Sequence, residues 1–248
     1  MLLSENYEFI FLKTHKTAST TVEIALEKYC AGPDHKVEIK NKDPIISKYG
    51  IIGARCPGFQ KLQELKDDKN FFWNHMIAKK IIEKLGYNKF ISMPRLTTIR
   101  NPYSRLVSMF YFQQAMHPTR IPEIPSDLNK ARARFDEWLN SYAGGGRLNT
   151  KKGIHHAKTD YFIVHYEGKL LTTNYIRVEN LRSDFNKFCV ERNIDPEHIT
   201  LSSERDNSAS KKFKSHELFC NNSMISQAQK IDAWVFNLNL YPDTPRSG

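Results

Sequence analysis

Residues 7–26 read YEFIFLKTHKTASTTVEIAL, and this stretch predicts the unit around which the rest of the chain is organised. Residues 7–12 form a short run of mostly aromatic and aliphatic side chains, which is typical of a buried strand. The apolar residues from Val22 to Tyr29 recur at helical spacing, so this part predicts an amphipathic helix. Between strand and helix, residues 13–21 form a turn rich in hydroxyl groups.

A strand, a polar turn and a helix N-terminus together favour an anion site, because unpaired backbone N–H groups and the helix dipole face the turn. Lys13 and Lys16 would add positive charge. The alternative is an ordinary helix capped by Ser19 or Thr20 beside two solvated lysines. No glycine lies between Lys13 and Thr21, so the glycine-rich phosphate loop of ATP-binding proteins is absent.

The size and charge of the chain restrict its class. At 248 residues and 28.9 kDa, the chain fits one α/β domain or at most two small ones, and we expect a single domain over residues 1–248. A formal net charge of +10 and a pI near 9.3 indicate an anionic partner, such as nucleic acid, an acidic glycan, a phosphorylated cofactor or a membrane surface.

Targeting and metal signals are not visible in the sequence. No apolar window reaches the ~18 residues of a membrane span, and no signal peptide precedes the first strand, so we expect a soluble, cytoplasmic protein. The 4 cysteines are scattered without a CxxC pair or zinc-ligand spacing, so we expect reduced thiols and no metal.

A second strand–turn–helix unit follows at residues 96–116, where LTTIR leads through NPYS into a helix from Arg105. Pro102 lies near the helix start, where its missing N–H group is harmless. A third strand is predicted at 175–178, with a helix at 181–192. The alternation predicts an α/β fold with a central, mostly parallel sheet and helices on both faces. Further helices are predicted at 77–85, 128–142 and 224–238, and loops at 35–48, 147–160 and 202–215.

Two motifs carry a resemblance to a known family. HKTAST at residues 15–20 and RNPYSRLVS at 100–108 resemble PKTAST and RNPxxRLVS of the sulfotransferases that use 3′-phosphoadenosine 5′-phosphosulfate (PAPS). The similarity is to the carbohydrate type, which includes the heparan sulfate 2-O-sulfotransferases. Residues 74–78 and 176–181 are also similar, so the resemblance covers about residues 7–188. His15 departs from the pattern, because the family usually has proline there.

The resemblance implies a P-loop-like three-layer sandwich that transfers a sulfuryl group from PAPS to a hydroxyl of a carbohydrate and releases adenosine 3′,5′-bisphosphate (PAP). The chain lacks the membrane anchor and lumenal stem of Golgi enzymes, which favours a soluble bacterial or viral relative. The resemblance also implies cofactor contacts. They are Lys16, Thr17, Ala18, Ser19, Thr20 and Thr21 for the 5′-phosphosulfate, Arg100 and Ser108 for the 3′-phosphate, and Lys211 and Lys212 in a loop over the nucleotide.

Sulfuryl transfer needs charge stabilisation at the leaving oxygen and a base for the acceptor proton. The resemblance assigns the first role to Lys16 and the second to His75, whose imidazole suits a proton acceptor near neutral pH. Lys13, His155 and His156 are candidate acceptor contacts, and either of these two loop histidines is an alternative base. Glu179 is the weakest candidate, because a buried carboxylate at a strand end can simply orient Arg177.

Two other classes of function compete with the transferase. A non-catalytic binder of nucleic acid or another polyanion would use the basic surface, and its affinity would fall steeply with salt. A nucleotide kinase would need the phosphate-loop glycines that residues 13–21 lack. No nucleic-acid-binding module is apparent in the sequence.

Overall fold

The computed structural model describes residues 1–119, 121–144, 157–201, 213 and 215–245. The predicted contacts His155, His156, Lys211 and Lys212 lie outside these ranges, so their roles stay predictions. The chain divides into two compact units. The first comprises Met1–Ile99 with Thr159–Ser202, and the second comprises Arg100–Lys158 with Ser203–Gly248. A single domain over the whole chain also stays a prediction.

The described residues form eight strands and eleven α-helices. The strands are β1 (Leu2–Ser4), β2 (Phe9–Leu12), β3 (Ile45–Ser47), β4 (Gly50–Ile52), β5 (Arg95–Ile99), β6 (His165–Tyr166), β7 (Lys169–Leu170) and β8 (Asn174–Arg177). The helices are α1 (Ser19–Leu26), α2 (Lys28–Ala31), α3 (Phe59–Leu65), α4 (Ala78–Leu85), α5 (Tyr87–Ser92), α6 (Pro102–Met116), α7 (Leu128–Ala143), α8 (Thr159–Val164), α9 (Leu181–Glu191), α10 (Asn222–Ile231) and α11 (Ala233–Phe236).

Six strands of the first unit form a mixed sheet in the order β3-β4-β1-β2-β5-β8. β2, β5 and β8 are parallel neighbours, and the sequence predicts all three of them. The short strand that residues 49–54 also predict is β4. The other half of the sheet is antiparallel, because β1 pairs with both β2 and β4, and β3 forms a hairpin with β4. The α/β class is confirmed, and parallel order holds in the half that carries the turn after β2.

β2 lies in the interior of the sheet of the first unit, and its side chains are part of the core. All four residues of β2 are fully buried, although alternate side chains of a strand point to opposite faces. Phe9 and Phe11 share an apolar cluster with Val22 and Leu26 of α1. Since the remaining β2 residues are equally buried, both faces of the sheet are covered at this strand, as expected for parallel strands.

Several elements differ from the prediction. β3 lies inside residues 35–48, for which we expected only a surface excursion. A single helix at 224–238 is wrong, because α10 and α11 are separated at Asp232. The Asp232 carboxylate is buried and accepts two hydrogen bonds of 2.8 Å from the Arg105 guanidinium, so this ion pair fixes the break.

The second unit is helical in its described part. α6, α7 and α10 pack around Phe110, whose ring centroid lies 5.4 Å from those of both Phe135 and Trp138. The helices predicted at 105–116 and 128–142 are confirmed as α6 and α7. Among the helices that the structure describes, none is both long and apolar enough to cross a membrane.

Candidate active site at the turn after β2

The turn between β2 and α1 has an unusual backbone for a segment without glycine. Lys16 and Ala18 both adopt left-handed conformations, with φ of 61° and 52°. Thr17 between them does not, so left-handed residues alternate with ordinary ones. Successive N–H groups in such an alternation converge into a concavity that binds anions. The backbone of this turn therefore has a geometry suited to an anion, and α1 begins immediately after it at Ser19.

Hydroxyl groups hold the turn in this conformation. Thr17 Oγ1 lies 2.9 Å from Thr14 Oγ1 and 2.7 Å from Thr98 Oγ1, and Ser19 Oγ donates to the Thr14 carbonyl oxygen at 2.7 Å. Ser19 and Thr20 do not cap α1, since Ala18 occupies the N-cap position without a side-chain hydrogen bond. Thr17 and Ser19 are buried, and their hydroxyl groups form hydrogen bonds with neighbouring residues of the protein. Of residues 16–21, this leaves Lys16, Ala18, Thr20 and Thr21 half-buried at the surface of the turn.

Lys13 is buried below the turn. Its ammonium group donates to Glu23 Oε2 at 2.5 Å, and the Nε of Arg55 donates to the same oxygen at 2.7 Å. Burial alone would raise the pKa of Glu23, but the surrounding positive charges, Lys13 first among them, lower it to about 2. This geometry favours a structural role for Lys13, and its predicted contact with the acceptor is untested.

His75 lies beside the same turn and is half-buried. Its Nδ1 is 2.9 Å from the carbonyl oxygen of Lys13. A carbonyl only accepts, so Nδ1 donates, and the neutral ring carries its lone pair on Nε2. His75 also adopts a left-handed conformation with φ of 53°, which is strained for a residue other than glycine. This tautomer is the one that a base acting through Nε2 needs.

His15 stacks on His75 and reaches a carboxylate that the sequence analysis missed. The two rings are 3.7 Å apart at 13°, and His15 Nδ1 lies 2.5 Å from Asp160 Oδ1. We assigned residues 147–160 to a loop, whereas α8 begins at Thr159. The signal was Thr159-Asp160 directly before an apolar run, a pattern typical of a helix start.

The second unit holds the residues predicted for the 3′-phosphate. Arg100 Nε donates to Ser104 Oγ at 2.8 Å, and Ser108 lies one turn further along α6. Residues four apart share a helix face, so Ser104 and Ser108 lie on one side of α6. Asn101 caps the helix by accepting from the N–H groups of Tyr103 and Ser104, and Pro102 occupies the first turn as predicted.

Glu179 does not match its expected environment. The side chain of Glu179 is exposed rather than buried. The Nε of Arg177 donates to Asp184 at 2.8 Å. Among the residues that the structure describes, no three or more His, Cys, Asp or Glu side chains form a group that could hold a metal ion.

Substitutions of Ala18 test the backbone of the turn. Glycine adopts the left-handed conformation without steric cost, whereas a β-branched side chain opposes it. We expect Ala18→Gly to leave the free energy of unfolding equal or to raise it by up to about 1 kcal/mol, and Ala18→Val to lower it by about 2 kcal/mol. Urea unfolding measures both. A variant order with valine the more stable would contradict the left-handed assignment.

Comparison with known proteins gives one result. A search of curated proteins and a search of solved structures found no significant match. The model of the sulfotransferase family matches residues 1–231, which include the turn after β2, His75, Asp160 and all of α6. Since the match covers far more than half of the chain, the protein belongs to the sulfotransferase family.

Proposed function

We propose that this protein transfers the sulfuryl group of PAPS to a hydroxyl group of a carbohydrate. The observation that carries the proposal is the pairing, at one turn, of an anion-binding backbone with an imidazole oriented as a base. The left-handed residues Lys16 and Ala18 form the first part, and His75 on the Lys13 carbonyl oxygen forms the second. Strand, turn and helix follow one another as in a P-loop, with a lysine and an alanine at the left-handed positions.

The residues at the turn fit the 5′ end of the donor. The converging N–H groups around Thr17, the Lys16 ammonium group and the half-buried hydroxyls of Thr20 and Thr21 suit a doubly anionic phosphosulfate. In the second unit, the Arg100 guanidinium and Ser108 suit the 3′-phosphate, because a planar guanidinium binds phosphate through parallel hydrogen bonds. PAPS supplies the activated sulfuryl group and leaves as PAP.

The residues of the chain then divide the chemical work. His75 accepts the proton of the acceptor hydroxyl on Nε2 while the oxygen of that hydroxyl bonds to sulfur. Lys16 stabilises the negative charge that develops on the phosphate oxygen as its bond to sulfur breaks. Atoms and charge balance: the acceptor gains the sulfuryl group, His75 gains the proton, and the bond electrons leave with PAP. The carbohydrate acceptor rests on the similarity of HKTAST and RNPYSRLVS to the carbohydrate type.

Binding of PAP tests the donor site directly. We expect PAP to raise the melting temperature of the protein more than ATP does at equal concentration. Lys16→Gln and Arg100→Gln should each weaken PAP binding by about 10- to 100-fold, because each removes a charge-assisted hydrogen bond of about 1.5–3 kcal/mol. Isothermal titration calorimetry measures the affinities.

The matched control is Lys79→Gln, which removes the same charge from a side chain that is 64% exposed on α4. This variant should bind PAP like the wild type. Equal losses from all three variants would instead indicate a non-specific polyanion site. A wild type that binds no PAP, and transfers no label from PAPS to any of a panel of glycans, alcohols and phenols, would rule out the proposed function.

A further inference from the structure

Asp160 and His15 form a buried pair next to the proposed base. We propose that Asp160 is a positioning residue, which acts through His15 to hold the ring of His75 in the orientation that accepts a proton. The inference deepens the proposed function and rests on it for the role of His75. It concerns a carboxylate in α8 and a histidine at the position where related enzymes usually have proline.

Asp160 binds His15 through two separate groups. The backbone N–H of His15 donates to Oδ1 at 3.1 Å and to Oδ2 at 3.2 Å, and the ring nitrogen Nδ1 lies 2.5 Å from Oδ1. An ionised carboxylate only accepts, so the backbone N–H and the Nδ1–H of His15 are the donors. The side chains are only 5% and 4% exposed, which strengthens these hydrogen bonds relative to those in water. Asp160 therefore fixes both the backbone and the ring plane of His15.

The fixed ring of His15 is the platform for His75. The two rings are nearly parallel, with centroids 3.7 Å apart at 13°. The stack sets the plane of His75, and the hydrogen bond from Nδ1 to the Lys13 carbonyl oxygen sets its rotation. His75 needs both constraints, because its left-handed backbone is strained and persists only where the surroundings impose it.

The helices next to His75 and around Asp160 also pack together. His75 lies just before α4, Asp160 lies in the first turn of α8, and α4 contacts α8. His15 directly precedes Lys16. The residue that Asp160 binds is therefore adjacent both to the turn after β2 and to the ring of His75. A carboxylate-bound imidazole resembles the orienting pair of hydrolytic triads. His15 is nevertheless almost wholly buried, whereas His75 is half-buried, so the acceptor hydroxyl meets His75.

Asp160→Asn is the first arm of the test. Asparagine keeps the size of the side chain but removes the negative charge and replaces one accepting oxygen with an NH₂ group. It therefore binds the backbone N–H and Nδ1 of His15 more weakly than the carboxylate does. We expect kcat to fall by about 10- to 100-fold, as for other groups that orient a reacting side chain. The affinity for PAP should stay within about threefold, since the turn backbone remains. The assay follows labelled PAPS with O-desulfated heparan sulfate and, in parallel, sulfate release to water.

Asp184→Asn is the matched control. Asp184 also accepts a backbone N–H, at 2.9 Å, and a side-chain N–H, at 2.8 Å, from one residue, Arg177 in the same unit. Its loss removes the same kind of clamp away from the histidine pair. We expect this variant to keep the wild-type kcat. Equal kcat losses in Asp160→Asn and Asp184→Asn would overturn the proposal, because they would indicate general destabilisation.

The second arm needs no turnover. Nitrogen-15 NMR of the histidine rings, assigned with His75→Asn and His15→Asn, should show wild-type His75 in the Nδ1–H tautomer. In Asp160→Asn we expect a mixture of tautomers for His75. An unchanged His75 tautomer, or a wild-type kcat in Asp160→Asn, would overturn the inference. So would an active His75→Asn beside an inactive His15→Asn, because His15 would then be the base.

The two arms also separate this inference from the proposed function. If the wild type transfers no sulfuryl group while Asp160→Asn still disturbs the His75 tautomer, the proposed function fails and the positioning of His75 by Asp160 is supported. If the wild type is active and both readouts of Asp160→Asn are unchanged, the proposed function survives and the inference fails.

Discussion

Replacing His75 with asparagine is expected to lower kcat for sulfuryl transfer by about 10²- to 10⁴-fold, the usual contribution of a general base. Asparagine is the informative substitute, because it tolerates the left-handed φ of 53° that alanine opposes. The backbone of the site should therefore survive, while the proton acceptor is lost. PAP affinity should be unchanged, since His75 makes no part of the anion turn. Single-turnover kinetics with labelled PAPS separates the chemical step from binding.

His198→Asn is the control for this experiment, because the His198 side chain is 82% exposed. That variant should transfer sulfate like the wild type. If His75→Asn retains turnover at neutral pH, the acceptor proton goes to another group. His15 and the untested histidines 155 and 156 would then be the next candidates.

The second large effect is on stability. Replacing Glu23 with glutamine should lower the free energy of unfolding by about 3–5 kcal/mol, because it leaves Lys13 and Arg55 buried without their shared carboxylate. Urea unfolding monitored by circular dichroism measures the loss. Glu83→Gln removes a carboxylate that is 42% exposed, and its loss should cost less than about 1 kcal/mol. Similar losses in both variants would contradict a buried charge network.

Glu23 also predicts how stability depends on acid. Its pKa is about 2 in the folded protein against an ordinary value of 4.5, so the folded state holds the proton less tightly than the unfolded state. The stability from the ionised form is fully present above pH 4.5 and is lost as the pH falls towards 2. In Glu23→Gln this part of the acid dependence should disappear. An identical acid transition in wild type and variant would refute the assignment.

The sequence predicts the parallel half of the sheet well, because β2, β5 and β8 contain aromatic or β-branched residues and a helix follows each of them at a short distance. The antiparallel half is harder to predict. β1 has only three residues, which are too few for a periodic signal, and one of its two partners, β4, lies about 50 residues further along the chain. β3 is likewise defined by its partner rather than by its composition.

The candidate site divides in the same way. The similarity of short motifs points to Lys16 and to His75, because each of them lies within a short stretch that resembles the family. Asp160 lies 145 residues from His15, so only the fold brings them together. Lys13 is a second case, since we expected solvent or an acceptor around it. The signal was Glu23 on the buried side of α1, because a buried carboxylate needs a cation.

The absence of glycine from the turn after β2 has a consequence for the conformational entropy that the turn loses when it binds an anion. Lysine and alanine sample far fewer backbone conformations than glycine, so residues 16 and 18 have little freedom to lose when an anion arrives. Such preorganisation reduces the entropy loss on binding. We therefore expect the turn to show slow amide hydrogen exchange already in the protein without nucleotide, with little further protection when PAP is added.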